Sequence, residues 1–590
     1  MTFVPSYFMA AVRRGRDHAS ARGHEAVFAR APAGARGLSV NSESFSCHLC
    51  ISPGTSVATR SGITLVLHGE LYPDSIGAPA SRCLDAYMAE GMGFVARLNG
   101  SFAVVVIDTR ADRVFLATDQ VNSRKLLCGE HGGYTWISTA LAFHLHPCSG
   151  QPDPAGIAHY LVNGVPLNNR TLISGVRVLE RAAVHELKNG ASSTTAYWRF
   201  DLDPRIEVPE QELRAELRDA LHNAVERRLP AEGEVLLSLS AGYDATCILG
   251  LLKSLGAANV RCFSYTKQGG PQDDDAYISR QMCGQQGLPH EIVPGYGDDL
   301  PSVIEANTRQ GRGLTRLIVE TDAWRTIAER LETKTATVWA GDECFGFPAC
   351  ELHDSEQVLW SLAIGDWESL GQIRAMFPEA AGISLGDALH EDLRVLRQRE
   401  AETQTLSDLR EFLYLDQRLP RLLAWRETFA GHNAAVRLPF LDPEVLDVAA
   451  TMPTSQRAAK RLFREVATGL FPDLYSFDRA RTAGWVAGKW MRQQLRSLQR
   501  APAHVDITTA SPLDDYLPPD RLMHLMSRAN PGGHLRRSAG RMVAQLRGQF
   551  TRQRATKLSE APPRRPRVDA PTFIVRALFL REYLRQRLQA

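Results

Sequence analysis

The chain is 590 residues long, 44% hydrophobic and 23% charged, with a formal net charge of +2. Such a length implies two or more domains with a substantial core, and the near-neutral balance excludes a dedicated nucleic-acid binder, whose domain is strongly basic. No stretch approaches the ~18–20 uninterrupted apolar residues of a membrane helix.

The opening residues, MTFVPSYFMAAVRRGRDHA, carry their positive charges after the apolar part, the reverse of a secretory signal, so the expected location is cytoplasmic. Ten cysteines then read as reduced, mostly buried thiols. Cys47-His48-Leu49-Cys50 is the one CxxC, and with no second ligand pair at useful spacing it reads as incidental rather than as a zinc site.

Up to about residue 200 the pattern is β-rich, with strands expected at 63–68, 101–108, 113–119 and 134–138. The polar turn Thr109-Arg110-Ala111-Asp112 joins the middle pair as a hairpin, and Asn189-Gly190 separates two further extended runs. This predicts an antiparallel α+β domain over 1–205. At 208–229 Leu213, Leu217, Leu221, Ala224 and Val225 recur at three and four, marking an amphipathic helix. A strand, a loop, a helix from about Asp244 to Leu255 and a strand at 260–266 follow, an order that predicts a parallel sheet with a right-handed crossover. From there to about 500 the chain reads as mostly helical. The basic, proline-containing 551–568 reads as a mobile connection within a second domain, 206–590, that ends in an amphipathic helix. There are no internal repeats.

Residues 236–252, LLSLSAGYDATCILGLL, place small and hydroxyl side chains between a buried strand and a buried helix. Ligands of parallel sheets bind beyond the carboxyl ends of the strands, where a helix N-terminus favours phosphate. Ser240, Ala241 and Gly242 allow close backbone approach; Ser240 and Thr246 add hydroxyls. Asp244 beside phosphate calls for a bridging cation, which suggests Mg²⁺. A serine–glycine turn with Asp244 as a helix cap fits the same residues. The Gly-x-x-x-x-Gly-Lys-Ser/Thr loop does not, because no lysine follows the glycine.

The stretch resembles the Ser-Gly-Gly-x-Asp-Ser loop of the ATP-pyrophosphatase enzymes, with Ala241 for a glycine and Ala245 for a serine. Further segments resemble asparagine synthetase B-type enzymes in the right order: LHGELY (67–72), LNGSFAVVVIDTRADRVFLATDQVNSRKLL (98–127), DDAYISRQMCGQQGLPHEIV (274–293), AGDECFGF (340–347), VRLPFLDPEVLDVAATMP (436–453) and KRLFREVATGLFPDLYSFDRART (460–482). The resemblance covers roughly 60–490. It implies an N-terminal-nucleophile-hydrolase-like glutaminase scaffold with antiparallel sheets. An adenine-nucleotide-hydrolase-like α/β synthetase domain with a parallel sheet and many helices would follow. It also implies that Asp244 and Asp342 hold Mg²⁺ on ATP, and that Ser240, Ala241, Gly242, Tyr243, Asp244, Ala245, Thr246, Ser264 and Gly341 line the ATP and pyrophosphate site. Lys460 would contact pyrophosphate and stabilise leaving charge, and Arg481 (or Thr482) would stand near a second catalytic lysine.

The departures narrow the function. Glutamine-using members begin with cysteine, whereas here Thr2 follows the initiator; the Asn-Gly-Glu that helps bind glutamine reads His68-Gly69-Glu70, and the acidic residue expected near Ser81-Arg82 is missing. The first domain is therefore expected to be an inactive glutaminase, and the nucleophile an amine of the substrate. β-Lactam synthetases resemble each other in a Tyr–Glu pair that deprotonates a poorly acidic ammonium; here Phe347-Pro348 and Ala435 stand in those places. A peptide α-amine, with a pKa of about 7.7–8, is roughly a tenth neutral at pH 7, against about a thousandth for an amine near 10. That difference, about 3 kcal/mol, is what a positioned base supplies. The expected activity is that of a lasso-peptide isopeptide cyclase. It would adenylate an Asp or Glu side chain of a ribosomal precursor peptide and join it to the N-terminal amine, with a leader peptidase as partner. The rivals are a small-molecule amide ligase of the β-lactam synthetase kind and a catalytically inactive binding scaffold.

Overall fold

The structure, a computed structural model, describes residues 8–14, 35–52, 54–73, 78–139, 151–188, 191–266, 275–294, 300–308, 313–315, 324, 326–327, 336–421, 426–427, 435–477, 493–496, 507, 509–528 and 562–588. Its first part is built on two six-stranded antiparallel sheets. One holds Phe8–Arg14 (β1), Arg36–Asn41 (β2), Phe45–Ile51 (β3), Leu127–His131 (β8), Tyr134–Ser138 (β9) and Val176–Val178 (β10), ordered β10-β8-β9-β1-β3-β2. The other holds Ser56–Arg60 (β4), Ile63–Leu71 (β5), Gly100–Asp108 (β6), Arg113–Thr118 (β7), Ala183–Lys188 (β11) and Ala191–Ala196 (β12), ordered β12-β11-β7-β6-β5-β4.

The four strands expected from the sequence are β5, β6, β7 and β9, and the turn at 109–112 closes β6 on β7 with Asp108 opposite Arg113. Asn189-Gly190 lies outside the described residues, between antiparallel β11 and β12. The sheets face each other through residues such as Val12, Leu49, Val66, Val105 and Leu116. The outer face of β5 and β6 packs on Leu84 and Phe94. Burial on both faces is why β6 reads SFAVVVID without alternation. Cys47 falls in the inter-sheet core and Cys50 on the opposite face, among Trp136 and Ile157. The period of two along a strand thus separates the CxxC thiols, and burial pushes Cys47 up to about 12. The described cysteines are free and mostly buried.

The second part carries a five-stranded, all-parallel sheet: Glu234–Ser238 (β13), Val260–Thr266 (β14), His290–Pro294 (β15), Ala336–Trp339 (β16) and Ala435–Arg437 (β17), ordered β15-β14-β13-β16-β17. The chain steps outward from β13 to β14 and β15, then returns to the other side of β13 for β16 and β17. The helix Glu210–Glu226 packs Leu213, Leu217 and Leu221 into the same core as Ile248 and Phe463. Among its described residues the stretch to about 500 is mostly helical, as expected. Many helices are present, but β15, β16 and β17 have only five, four and three residues. Segments so short carry no readable alternation.

One expectation is corrected: the helix Ala570–Leu588 is not amphipathic in the usual sense. Nearly every side chain from Phe573 to Leu584 is buried, Arg576 and Arg581 included. Arg576 Nη1 donates to the carbonyls of Leu161 (2.9 Å) and Val162 (2.7 Å) near the end of helix Pro154–Asn163, and Tyr160 stacks on Phe579 at 4.9 Å. The helix's cations serve the carbonyl ends of neighbouring segments instead of facing water. Within the basic stretch, residues 551–561 lie outside the described residues, while 562–568 is docked. Arg565 pairs with Asp366 (3.1 Å) and lies over the Trp360 ring, and Val568 N–H donates to Ser369 O.

Candidate active site

The reversal of strand order falls between β13 and β16, and the residues singled out from the sequence gather beyond the carboxyl ends of these two strands. The loop Leu239–Gly242 leads from β13 into helix Tyr243–Ser254, whose N-cap is Gly242 with no side-chain cap. Gly242 has no side chain to cap the first turn, and a helix N-terminus that opens on a glycine suits an anion. Gly242 N–H donates to Ser240 Oγ at 3.3 Å, which fixes the turn. Ser264 on β14 braces the loop from below, its hydroxyl donating to Leu239 O at 2.5 Å and lying 2.9 Å from His290 Nε2.

The second loop, 340–348, follows β16. Gly341 is required by contact: a Cβ there would lie 2.9 Å from Asp244 Cβ and 3.0 Å from Ala245 N. Gly346 adopts φ +110°, and a Cβ would stand 2.3 Å from Arg457 O. Phe345 anchors the loop by stacking on Phe463 at 4.2 Å, and Phe347 O accepts from Ala459 N–H at 2.7 Å. That clamp presents Lys460. Ala459 and Lys460 are both left-handed, with φ 52° and 59°, and Lys460 is the N-cap of helix Arg461–Leu470. Two successive non-glycine residues in this region cost roughly 1–3 kcal/mol each and persist only where the surroundings impose them.

The outcome is a carboxylate–ammonium cluster. Lys460 Nζ donates to both Asp244 oxygens, at 3.0 and 2.9 Å, and lies 2.6 Å from Glu343 Oε1. Glu343 Oε2 in turn accepts from Phe345 N–H, and Asp342 pairs with Arg426. Burial pushes the Glu343 carboxyl up to about 7, with Asp244 adding to the rise and Lys460 opposing it. Burial likewise holds Asp244 above the ordinary carboxylate range, against Lys460 and with help from Asp342. Burial pulls the Lys460 ammonium down, but Glu343 and Asp244 outweigh it, so it sits above its ordinary value and stays charged.

Chemically, a fixed cation and a row of N–H donors can hold phosphate oxygens and the charge that develops on a leaving pyrophosphate. Asp244 and Asp342 are hard oxygen donors, and Asp342 lies close enough to raise the proton affinity of Asp244. Among the described residues no three His, Cys, Asp or Glu side chains form a cage. That donor set fits a magnesium ion shared between one or two carboxylates and substrate phosphates better than an all-protein site.

The structure thus brings together Ser240, Ala241, Gly242, Asp244, Gly341, Asp342 and Lys460. Other expected residues are placed differently. The Tyr243 ring is turned to Tyr475 (stacked, 5.3 Å) and the Arg464 guanidinium (4.6 Å). Ala245 and Thr246 are buried, and Thr246 Oγ1 has no hydrogen-bond partner. Arg481 and Thr482 lie outside the described residues. Sequence reasoning missed Glu343 and Arg426. The first stands beside Asp342 in AGDECFGF and was open to discovery; Arg426, in a stretch without periodicity, carries no signal.

The glutaminase-like positions tell a consistent story. Gly69, at φ +111°, leaves no room for a Cβ, which would stand 2.0 Å from Ser101 O. His68 is buried, and burial with the nearby Arg124 lowers it to about 3, so the imidazole is neutral. Glu70 accepts from Tyr72 OH at 3.0 Å and lies 3.5 Å from Arg437 of β17. Asn99 Nδ2 donates to Asp442 (2.9 Å), which Arg227 and Arg228 also hold. These contacts join the antiparallel sheets to the parallel one.

Comparison with known proteins gives two family matches, Asparagine synthase over residues 216–547 and Glutamine amidotransferase domain over residues 81–198. Among similar proteins, a probable glutamine-hydrolysing asparagine synthetase of Acanthamoeba polyphaga mimivirus is 26% identical over 208 residues, 34% of this chain and 36% of its own. The carboxyethyl-arginine beta-lactam-synthase of Streptomyces clavuligerus is 29% identical over 221 residues, 33% of this chain and 39% of its own. Asparagine synthetase 1 of Bacillus subtilis, also glutamine-hydrolysing, is 22% identical over 404 residues, 60% of this chain and 62% of its own. The match thus spans little more than a third of the first two relatives.

Proposed function

This chain belongs to the asparagine synthase family, and from that premise we propose that it is an ATP-dependent, AMP-forming ligase acting as a lasso-peptide isopeptide cyclase. A side-chain carboxylate of the precursor peptide attacks the α-phosphorus of ATP and pyrophosphate leaves. The peptide's N-terminal amine then attacks the acyl carbon, loses a proton, and AMP departs as the amide forms. Holding both ends of the peptide in one site supplies much of the rate through proximity.

The observation that carries this reading is the Asp244–Lys460–Glu343 cluster at the uncapped helix end where the strand order reverses. Lys460 and the loop Ser240–Gly242 bind the phosphates, and Lys460 takes up charge on the departing pyrophosphate. Asp244 and Asp342 would hold Mg²⁺, which supplies charge neutralisation on the phosphates when bound. Arg481 is the second catalytic cation in this scheme. The first 205 residues serve as a glutaminase scaffold without activity, in keeping with a neutral His68 and a Glu70 engaged by Tyr72 and Arg437. A precursor peptide and a leader peptidase are the partners.

The similarity to a beta-lactam synthase favours a second reading, ring closure of a small molecule. Against it stand the two positions where that chemistry wants its proton-accepting pair. Phe347 packs edge-on against Tyr414 at 4.9 Å, and Ala435 lies in β17. Incubation with ATP, Mg²⁺ and candidate precursor peptides decides. A protease-resistant product lighter by one water supports the cyclase; ATP–pyrophosphate exchange driven by a small acid, with no peptide product, supports the alternative.

A further inference from the structure

Two neighbouring residues, Arg426 and Glu427, reach into different halves of the chain. Arg426 Nη1 donates to Asp342 Oδ2 in the loop after β16, and its guanidinium lies over the Trp324 ring at 5.5 Å. Trp324 is itself buried, edge-on to Phe263 of β14 at 5.6 Å. Glu427 Oε1 pairs with Arg124 Nη1, which lies in the antiparallel half between β7 and β8. The Arg124 side chain is only 8% exposed. The other acids near it are engaged elsewhere. Asp119 accepts the N–H groups of Phe102, Val121 and Ser123, and Glu70 accepts from Tyr72 OH. His68 stands close enough to Arg124 for the guanidinium to lower it, so the Arg124–Glu427 pair adjoins the glutaminase-like His68-Gly69-Glu70. A chain of contacts thus runs from the first domain through Arg124, Glu427 and Arg426 to Asp342.

Such a chain has a physical use. A carboxylate that binds a metal is oriented by the hydrogen bonds it accepts, and losing such a partner typically costs about 10–100-fold in metal affinity or activity. Arg426 bonds Oδ2 alone of the two Asp342 oxygens, so Oδ1 is left for a metal. An arginine on a long stem keeps that geometry only where its backbone is fixed. A charge-assisted bond from the next residue to a buried guanidinium fixes it. We propose that Arg124 is a positioning residue for the synthetase reaction: through Glu427 it sets Arg426 against Asp342, so that the retained first domain holds the metal's carboxylate in place. This rests on Asp342 being a Mg²⁺ ligand, as proposed above. It gives the glutaminase scaffold a task that needs no glutamine.

The test titrates Mn²⁺ into the full-length protein with α,β-methylene-ATP and follows it by electron paramagnetic resonance, which reads the metal without turnover. Glu427→Gln should raise the half-saturating Mn²⁺ concentration by about 10–100-fold. The double variant Arg124→Met, Glu427→Met, which leaves neither charge buried alone, should raise it as far. Wild-type affinity in either folded variant overturns the role of Arg124. Asp342→Asn separates that role from the site assignment. Weakened binding in Asp342→Asn with wild-type binding in the Glu427 variants removes the role of Arg124 alone, whereas unchanged binding in Asp342→Asn removes the metal site itself. Should neither variant fold, diffraction from the wild-type complex with Mg²⁺ and the same nucleotide decides. Arg426 on Asp342 and Glu427 on Arg124 there support the relay; either contact broken overturns it.

Discussion

Lys460 holds both oxygens of the Asp244 carboxylate across 216 residues of chain. The pairing joins the helix that follows β13 to a strained turn fixed by the loop after β16. It therefore reports on both loops at once.

Lys460→Met removes the fixed cation while keeping the stem. ATP–pyrophosphate exchange should fall by about 10²–10³, the usual cost of losing one charge-stabilising donor. Asp244→Asn should fall as far. Unchanged exchange in either variant would dismiss the phosphate-site assignment.

Gly346→Ala should be poorly tolerated. The new methyl meets a backbone carbonyl that cannot swing away, at a φ of +110°. A loss of roughly 2–4 kcal/mol, or an insoluble product, is expected from combined overpacking and backbone strain. Gly382→Ala is the control: its Cβ would touch only Phe377 Cβ at 3.5 Å, and helix propensity favours the change by up to about 1 kcal/mol. Chemical denaturation of the two variants side by side reads the difference.

His68 makes the fold acid-sensitive. Its folded value of about 3 lies below its ordinary 6.5, so between those two pH values the unfolded chain binds the extra proton. Stability should fall as pH drops from 6.5 towards 3, by an amount on the order of a few kcal/mol in full. His68→Asn should flatten that part of the curve and leave stability above pH 7 dependent on packing alone. Parallel slopes for the two proteins would contradict the burial argument.

Arg457 is 1% exposed and binds Glu411 together with Asp408 (3.1 Å). Arg457→Leu strands two buried carboxylates and should cost about 3–5 kcal/mol. Adding Glu411→Leu should return part of that loss, which a double-variant cycle of melting curves would register.

The parts legible in the sequence are those with a local cause. The apolar runs of β5, β6, β7 and β9 announced themselves, and so did the strand–loop–helix–strand from β13 to β14, because burial writes its pattern on consecutive residues. Asp244, Asp342 and Lys460 were found through motifs that keep close spacing. What stayed hidden depends on distant partners. Arg426 matters because it meets Asp342, 84 residues away, and nothing nearby hints at it. The left-handed Ala459 and Lys460 would normally be signalled by glycine or asparagine; here tertiary contact imposes the conformation. The helix Ala570–Leu588 looked two-faced because its arginines were taken for a wet side, whereas Arg576 and Arg581 bond buried carbonyls.

That helix also sets a timetable. Arg576 and Leu161, which it joins, are 415 residues apart. During translation at roughly 5–20 residues per second, helix Pro154–Asn163 must wait on the order of a minute for its cover to emerge. For that interval the side of it that Phe579 and its neighbours cover is open to water, to chaperones and to other nascent chains, so yield in a cell depends on how fast the ribosome moves as well as on what the finished protein can withstand.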